Sequence, residues 1–129
     1  MEYSKELFST QILEAARNFG GDVALKTWPE GKSMSFEELR KNAYKFSKLL
    51  QSYDVNKGEI VCVAIPNSIE YVITFLGCAI IGGAIAGFSP QSKKEEISTY
   101  LSRTKAKVLV VSEDSEIQHD SYGPKFKVL

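Results

Sequence analysis

Apolar residues recur at helical spacing in several parts of the chain, and three of these parts begin with a sequence that caps helices. Residues 35–38 (Ser-Phe-Glu-Glu) and residues 92–95 (Ser-Lys-Lys-Glu) both fit the capping box. Residues 67–70 (Asn-Ser-Ile-Glu) offer the same spacing with Asn67 as the cap. The helix after Ser35 has a 3-4-3-4 apolar seam: Phe36, Leu39, Ala43, Phe46, Leu50 and Tyr53. A further helix is predicted from about residue 10 to residue 19, ending at a pair of glycines, Gly20 and Gly21.

Between these helices the apolar residues form continuous runs, at residues 60–65, 84–88 and 108–111. Continuous runs predict strands buried on both faces, which is typical of parallel strands covered by helices. Each gap has room for one helix, so the segment predicts a β-α-β-α-β unit with right-handed crossovers.

The flanking segments have a different character. Residues 23–28 and 33–34, separated by the turn at 29–32, predict a β-hairpin. Residues 112–125 are polar and predict a loop, after which residues 126–129 begin another strand. The predicted fold class is therefore α/β, a single domain over residues 1–129 in which an N-terminal helix and a β-hairpin precede a layered parallel sheet.

One segment also meets the length rule for a membrane span, because residues 71–88 carry no charge over 18 positions. Gly83 and Gly87 even have the spacing of a membrane dimerisation motif. However, the Gly82-Gly83 pair is typical of a helix end, and no basic cluster or tryptophan flanks the segment closely. We therefore interpret the segment as a buried helix, a turn and a short buried strand, with no transmembrane span.

Composition narrows the class of protein. The 129 residues are 43% hydrophobic and 25% charged, as in an ordinary globular domain. Sixteen basic residues balance sixteen acidic ones, and the sequence pI is about 6.6. This balance excludes a general nucleic-acid binder, which needs a basic excess to displace counterions from phosphates. It gives no attraction to anionic lipids either.

The two cysteines, Cys62 and Cys78, each lie in an apolar run, which favours small buried thiols. A zinc site would need more ligands than these cysteines and the single histidine, His119. The first residues, MEYSKELFSTQ, lack the apolar core of a secretory signal. We therefore expect a reduced, intracellular and cytoplasmic protein.

No phosphate-binding motif is complete. Gly77 and Gly82 have the first spacing of a Walker loop, but Gly-Ala follows where Lys and Ser or Thr are needed. The turn at residues 65–68 lies between a strand and a helix start, where backbone amides can hold an anion. Helix capping explains Asn67 and Ser68 more simply than a ligand role.

Candidate catalytic residues are equally weak. His119 lies beside Asp120 and Ser121 in the polar loop, but triads are assembled by a fold, so a local cluster is poor evidence. The same loop has a short acidic group near Asp120, formed by Glu113, Asp114 and Glu116, which is more typical of solvated side chains than of metal ligands. Three aromatic residues could line a pocket, although the hairpin core and the helix seam explain them first: Trp28, Tyr44 and Phe46. We assign no catalytic, cofactor-binding or metal-ligating residue.

The order and wording of several segments resemble a known family. They are residues 23–25, 35–39, 55–61, 65–71, 75–79, 82–84, 95–97 and 106–110. Together they are similar to the N-terminal part of the adenylate-forming (AMP-binding) superfamily, in the branch of acyl-CoA synthetases, 4-coumarate–CoA ligases and beetle luciferases. The resemblance covers residues 14–112, and its most specific piece is the strand followed by Pro66-Asn67-Ser68, Glu70 and Tyr71. One departure is Ser89-Pro90 with Ser92, where the family usually has Asn-Pro followed by Thr.

The resemblance implies a ligase that activates a carboxylic acid with ATP and then passes the acyl group to coenzyme A. In such enzymes a Ser/Thr/Gly-rich loop, a magnesium-binding Glu, a ribose-binding Asp and a catalytic Lys lie downstream of this region. None of them maps onto a position of this chain, so ATP, magnesium and coenzyme A are implied only for the parent enzyme. A peroxisomal location of that enzyme stays open.

Two function classes follow. The first is an N-terminal fragment of an acid–thiol ligase, inactive alone, whose partner is the remainder of the enzyme. The second is a short non-catalytic paralogue that acts as a binding or regulatory module. The strand that starts at residue 126 favours the first and would leave an edge uncovered, so we also expect self-association as a two-fold dimer.

Overall fold

The protein is described by a computed structural model, which covers residues 7–115, 117 and 126–128. Helices and strands follow one another in this order: α1 (Phe8–Asn18), β1 (Val23–Lys26), β2 (Ser33–Ser35), α2 (Phe36–Ser52), β3 (Ile60–Ala64), α3 (Ile69–Ile80), β4 (Ala84–Gly87), α4 (Lys94–Thr104), β5 (Leu109–Ser112) and β6 (Phe126–Val128). The predicted α/β class is confirmed, and most predicted boundaries lie within one or two residues of these.

Two sheets organise the part of the chain that the structure describes. The strands β1 and β2 pair antiparallel as the predicted hairpin. The other four strands form a parallel sheet in the order β4-β3-β5-β6. The predicted β-α-β-α-β unit is therefore present, and the strand that begins at Phe126 extends it beside β5.

Alternate residues of the central strand β3 face two different layers. Val61 and Val63 lie in a core cluster with residues of α2, α3 and β5, whereas Cys62 and Ala64 lie in a second cluster beside α4. All four side chains are fully buried. Helices thus cover both faces of the sheet, which is why its strands are apolar without alternation.

A third cluster joins the hairpin to the helices. Leu39 and Ala43 of α2 pack against Leu76 of α3, and side chains of α1, β1 and β2 surround them. The two helices pack closely at Gly77, where a Cβ atom would lie 2.8 Å from Cδ1 of Phe46.

Two of the predicted helix caps are shifted by one residue. The capping box at Ser35 is confirmed, with Glu38 as its reciprocal partner. The cap of α3 is Ser68 and not Asn67, because the Ser68 hydroxyl accepts the Tyr71 N–H at 3.2 Å. The predicted cap at Ser92 is also wrong. The Ser92 N–H donates to Ser89 C=O in a tight turn, so α4 starts one residue later than predicted. The N–H of Lys93, the residue before α4, donates to the Glu96 carboxylate at 3.0 Å.

The glycine pair after α3 is a helix end, as predicted. Gly82 has a φ of +74°, a conformation that other residues adopt only with strain. Gly83 packs so closely that a Cβ atom would lie 2.9 Å from Cys78 Sγ. Among the described residues, no helix has the length and apolar character needed to cross a bilayer.

Candidate functional site

An open cleft of about 780 Å³ separates the hairpin from the turn between β3 and α3. Its two walls and one further residue supply these side chains: Leu25, Lys26, Thr27, Trp28, Glu30 and Lys32 from the hairpin, Pro66, Asn67, Ser68, Ile69, Glu70 and Val72 from the turn and α3, and Asp114. This volume is within the usual range for a small-molecule site.

The cleft lies at the carboxyl ends of β3 and β5, since Pro66 follows the first strand and Asp114 follows the second. From β3 the chain continues to one side of the sheet, to β4, whereas from β5 it continues to the other side, to β6. Open α/β sheets bind their ligands outside the carboxyl ends of strands where the order diverges in this way. The position therefore makes this cleft the candidate site.

The turn that forms one wall is held by its own side chains. Ser68 Oγ donates to Pro66 C=O at 2.9 Å while it accepts the Tyr71 N–H. This hydroxyl thus donates one hydrogen bond and accepts another at the start of α3, which agrees with a capping role. Asn67, displaced from the cap position, lines the cleft instead.

The hairpin wall carries Trp28, which is 90% exposed. The prediction that Trp28 belongs to a hairpin core is therefore wrong, since this residue lies in the turn beyond the two paired strands. Thr27 stabilises the loop, because its hydroxyl accepts the Lys32 N–H at 3.0 Å. The other two aromatic candidates do not belong to the cleft: Tyr44 lies under the Arg40 guanidinium, and Phe46 is in the core.

Charges of both signs line the cleft, with Lys26 and Lys32 opposed by Glu30, Glu70 and Asp114. Such a mixture does not form the cradle of cations and amides that a triphosphate needs. No group of three or more metal-binding side chains exists among the residues that the structure describes. These residues therefore do not fit ATP with magnesium.

The remaining sequence candidates lie apart from this cleft or outside the described residues. Gly77 is inside α3 and Gly82 follows its end, so the Walker-like spacing does not lie between a strand and a helix. His119, Asp120 and Ser121 lie outside the described residues, as does Glu116 of the acidic group.

Charged pairs with shifted pKa values also lie elsewhere. The Arg40 guanidinium donates to both Glu37 oxygens and lowers the pKa of that carboxyl. The Lys107 ammonium lies 2.9 Å from a Glu59 oxygen and likewise lowers the pKa of Glu59. Since all four side chains are substantially exposed, these pairs are surface salt bridges and do not form a reactive centre.

Both cysteines are free and buried, as predicted. Burial raises the pKa of the Cys78 thiol to about 11 and also raises that of Cys62, whose Sγ lies 3.4 Å from Thr104 Oγ1. Thiols with raised pKa values are poor nucleophiles, so neither has the properties of a catalytic cysteine.

The fold is an α/β layer, and its parallel sheet has an open cleft at the carboxyl ends of its strands. Residues 12–127 match the sequence profile of the family described as AMP-binding enzyme, and the chain belongs to this adenylate-forming family. The resemblance derived from the sequence segments is thereby confirmed.

Two curated relatives agree with the ligase branch. The chain is 30% identical over 103 residues to 4-coumarate–CoA ligase-like 9 of Oryza sativa subsp. japonica, covering 79% of this chain and 19% of the relative. It is 34% identical over 104 residues to an acetyl-coenzyme A synthetase of Vibrio parahaemolyticus, covering 74% and 15%. The chain thus spans less than a fifth of the length of these relatives.

A solved structure confirms the fold. The N-terminal subdomain of Klebsiella oxytoca NpsA, in complex with 3-hydroxybenzoyl-AMSN, superimposes with a TM-score of 0.79 at 21% identity. The match covers 95% of this chain and 30% of that one.

The sequence alone did not reveal the cleft, because its walls are separated by about 40 residues of chain. The available signal was the position of the turn at a strand's carboxyl end.

Proposed function

We propose that this chain supplies the N-terminal layer of an ATP-dependent ligase that converts a carboxylic acid to an acyl-adenylate and then to a coenzyme A thioester. The observation that carries the proposal is the match to the AMP-binding enzyme profile over residues 12–127. The names of the two relatives support coenzyme A as the acyl acceptor.

In this proposal the chain is a scaffold, and its partner is the remainder of the ligase. Adenylation requires groups that stabilise charge on the transferring phosphorus and its oxygens. The cleft offers two lysines against three carboxylates, so we propose that the chain alone does not adenylate an acid. ATP, magnesium and coenzyme A are assigned to other parts of the ligase.

The compartment follows from the same proposal, since ATP and coenzyme A are available inside the cell. The two free, buried thiols support an intracellular location, where cysteines stay reduced.

The test uses the longest open reading frame that contains this chain, expressed beside the 129-residue chain itself. Exchange of labelled pyrophosphate into ATP is measured with acetate, 4-coumarate and a medium-chain fatty acid, followed by detection of the coenzyme A thioester. We expect acid-dependent exchange in the longer protein and none in the short chain.

Two results would contradict the proposal in different ways. Acid-dependent exchange by the 129-residue chain would overturn its inactivity and leave the ligase class intact. A reading frame without a Ser/Thr/Gly-rich loop, together with no exchange, would overturn the ligase assignment.

A further inference from the structure

The outer surface of α2 carries three lysines in a line. Lys41, Lys45 and Lys48 are all exposed, and their spacing of four and three residues places them on one side of the helix. The line is about 10 Å long, since each helical residue rises 1.5 Å. We call these three residues the lysine row. Lys41 lies 3.9 Å from a Glu37 oxygen, and within the described part of the chain neither of the other two forms an ion pair.

The sequence around the lysine row has charges of one sign. Residues 39–53 contain four basic side chains, the row and Arg40, and no acidic one. The balance of charge over the whole chain, which predicts no attraction to anionic lipids, therefore conceals a basic surface on α2. Salt screens exposed charges beyond about 8 Å under physiological conditions, so the local charge governs what approaches this helix.

Two larger side chains beside the lysine row also reach into water. Tyr44 and Leu49 are 38% and 39% exposed, and each is the sequence neighbour of a lysine of the row. Tyrosine is enriched at the interface between membrane and water, where its ring and its hydroxyl group meet different environments. Lysines combined with such side chains are typical of helices that lie on anionic bilayers.

The buried side of α2 decides between two kinds of anionic partner. A basic amphipathic helix binds either a groove in an acidic protein or a lipid surface. Binding in a groove uses the apolar anchors of the helix. Those of α2 are at most 8% exposed, because they already lie in the core: Leu39, Ala43, Phe46 and Leu50. Only the basic outer surface is available, which favours a flat anionic partner.

We propose that the outer surface of α2 is a peripheral docking site for membranes that contain anionic lipids, with the lysine row facing the negatively charged headgroups. The helix stays packed in its core, so the contact is electrostatic and needs no insertion of α2. Each lysine close to such a surface strengthens binding by about fivefold, and the three together by about a hundredfold. This inference does not depend on the ligase assignment.

Vesicle sedimentation tests the docking site. The 129-residue chain and the longer reading frame are each mixed with vesicles of phosphatidylcholine, with or without about one-third phosphatidylserine. We expect both proteins to bind the phosphatidylserine vesicles at low salt. Binding to phosphatidylcholine alone should be weak, and high salt should release the proteins because it screens the lysines.

A triple variant and a matched control locate the contact. Lys41→Gln, Lys45→Gln and Lys48→Gln together should weaken binding about a hundredfold, and glutamine keeps the helix propensity of lysine. The control removes three exposed basic charges at α4, on the other face of the sheet, and should bind like the native protein: Lys93→Gln, Arg103→Gln and Lys105→Gln. Circular dichroism checks that both variants are folded.

Four results would overturn the proposal. They are the absence of binding to phosphatidylserine vesicles, equal binding to neutral vesicles, an equal loss in the two triple variants, and binding by the short chain alone. The last result would show that the rest of the polypeptide covers α2. If neither protein binds vesicles but both bind polyglutamate through the lysine row, the partner is an acidic protein and the membrane proposal is wrong.

Discussion

Gly82 provides the sharpest test of how the chain turns from α3 into β4. It has a φ of +74°, its N–H donates to Ala79 C=O at 3.0 Å, and its C=O accepts the Gly58 N–H at 2.9 Å. A residue with a Cβ atom pays about 1–2 kcal/mol in this left-handed conformation. The new Cβ would also lie 2.9 Å from Cγ of Lys57. We expect Gly82→Ala to lower the free energy of unfolding by about 1–2 kcal/mol, and Gly82→Val by more because a branched Cβ is worse there.

Three matched variants separate the causes. Gly58→Ala adds a Cβ atom at a residue whose φ is already +84°, with no atom beyond its chain neighbours within 4 Å, so it measures backbone strain without contact. Gly21→Ala has neither feature and should be neutral or slightly stabilising. Repeating Gly82→Ala in a Lys57→Ala background removes the close Cγ atom, and should recover the part of the loss that contact causes.

Urea unfolding followed by circular dichroism measures each difference, and thermal unfolding should shift by roughly 4 °C for each kcal/mol. If Gly82→Val is as stable as the native protein, the helix-end assignment is refuted. If Gly21→Ala costs as much as Gly82→Ala, positive φ is not the cause.

Three further predictions concern caps, a thiol and association. Ser68→Ala removes the acceptor of the Tyr71 N–H and should cost about 1 kcal/mol in urea unfolding, whereas Asn67→Ala should cost a few tenths; equal costs would contradict the cap assignment. Because the pKa of Cys78 is raised from 9.0 to about 11, the unfolded chain loses this proton first, so the free energy of unfolding should fall between pH 9 and 11 by at most about 1.4 kcal/mol per pH unit. Cys78→Ala should flatten that slope; an unchanged slope would assign it to other groups. Dimerisation of the isolated chain through the outer edge of β6 stays a prediction, and a monomer in light scattering at micromolar concentration would refute it.

Much of the fold could be predicted because its signals are local. The run from Val61 to Ala64 is apolar at every position, and every side chain is buried. The error at the cap of α3 arises because two neighbouring side chains offer the same chemistry. Asn67 and Ser68 both have an oxygen that can accept an amide proton, and only the backbone path decides which of them reaches Tyr71.

The candidate site was less predictable because it depends on tertiary placement. Trp28 was expected in a hairpin core, yet it is 90% exposed at the cleft. A two-stranded hairpin has two faces, and the spacing of its residues does not say which of them meets Pro66. The position of Asp114 beside the same cleft likewise depends on the order of the strands.

The order β4-β3-β5-β6 has a consequence for assembly during synthesis. The first strand of the parallel sheet to leave the ribosome, β3, is central, and β4 then adds to one side of it. The strand β5 adds to the other side, and β6 adds outside β5, so no strand has to insert between two that are already paired. Each new strand can therefore pair with an open edge soon after it emerges. An apolar strand such as β5, which contains Val110, then stays unpaired and prone to aggregation for only a short time.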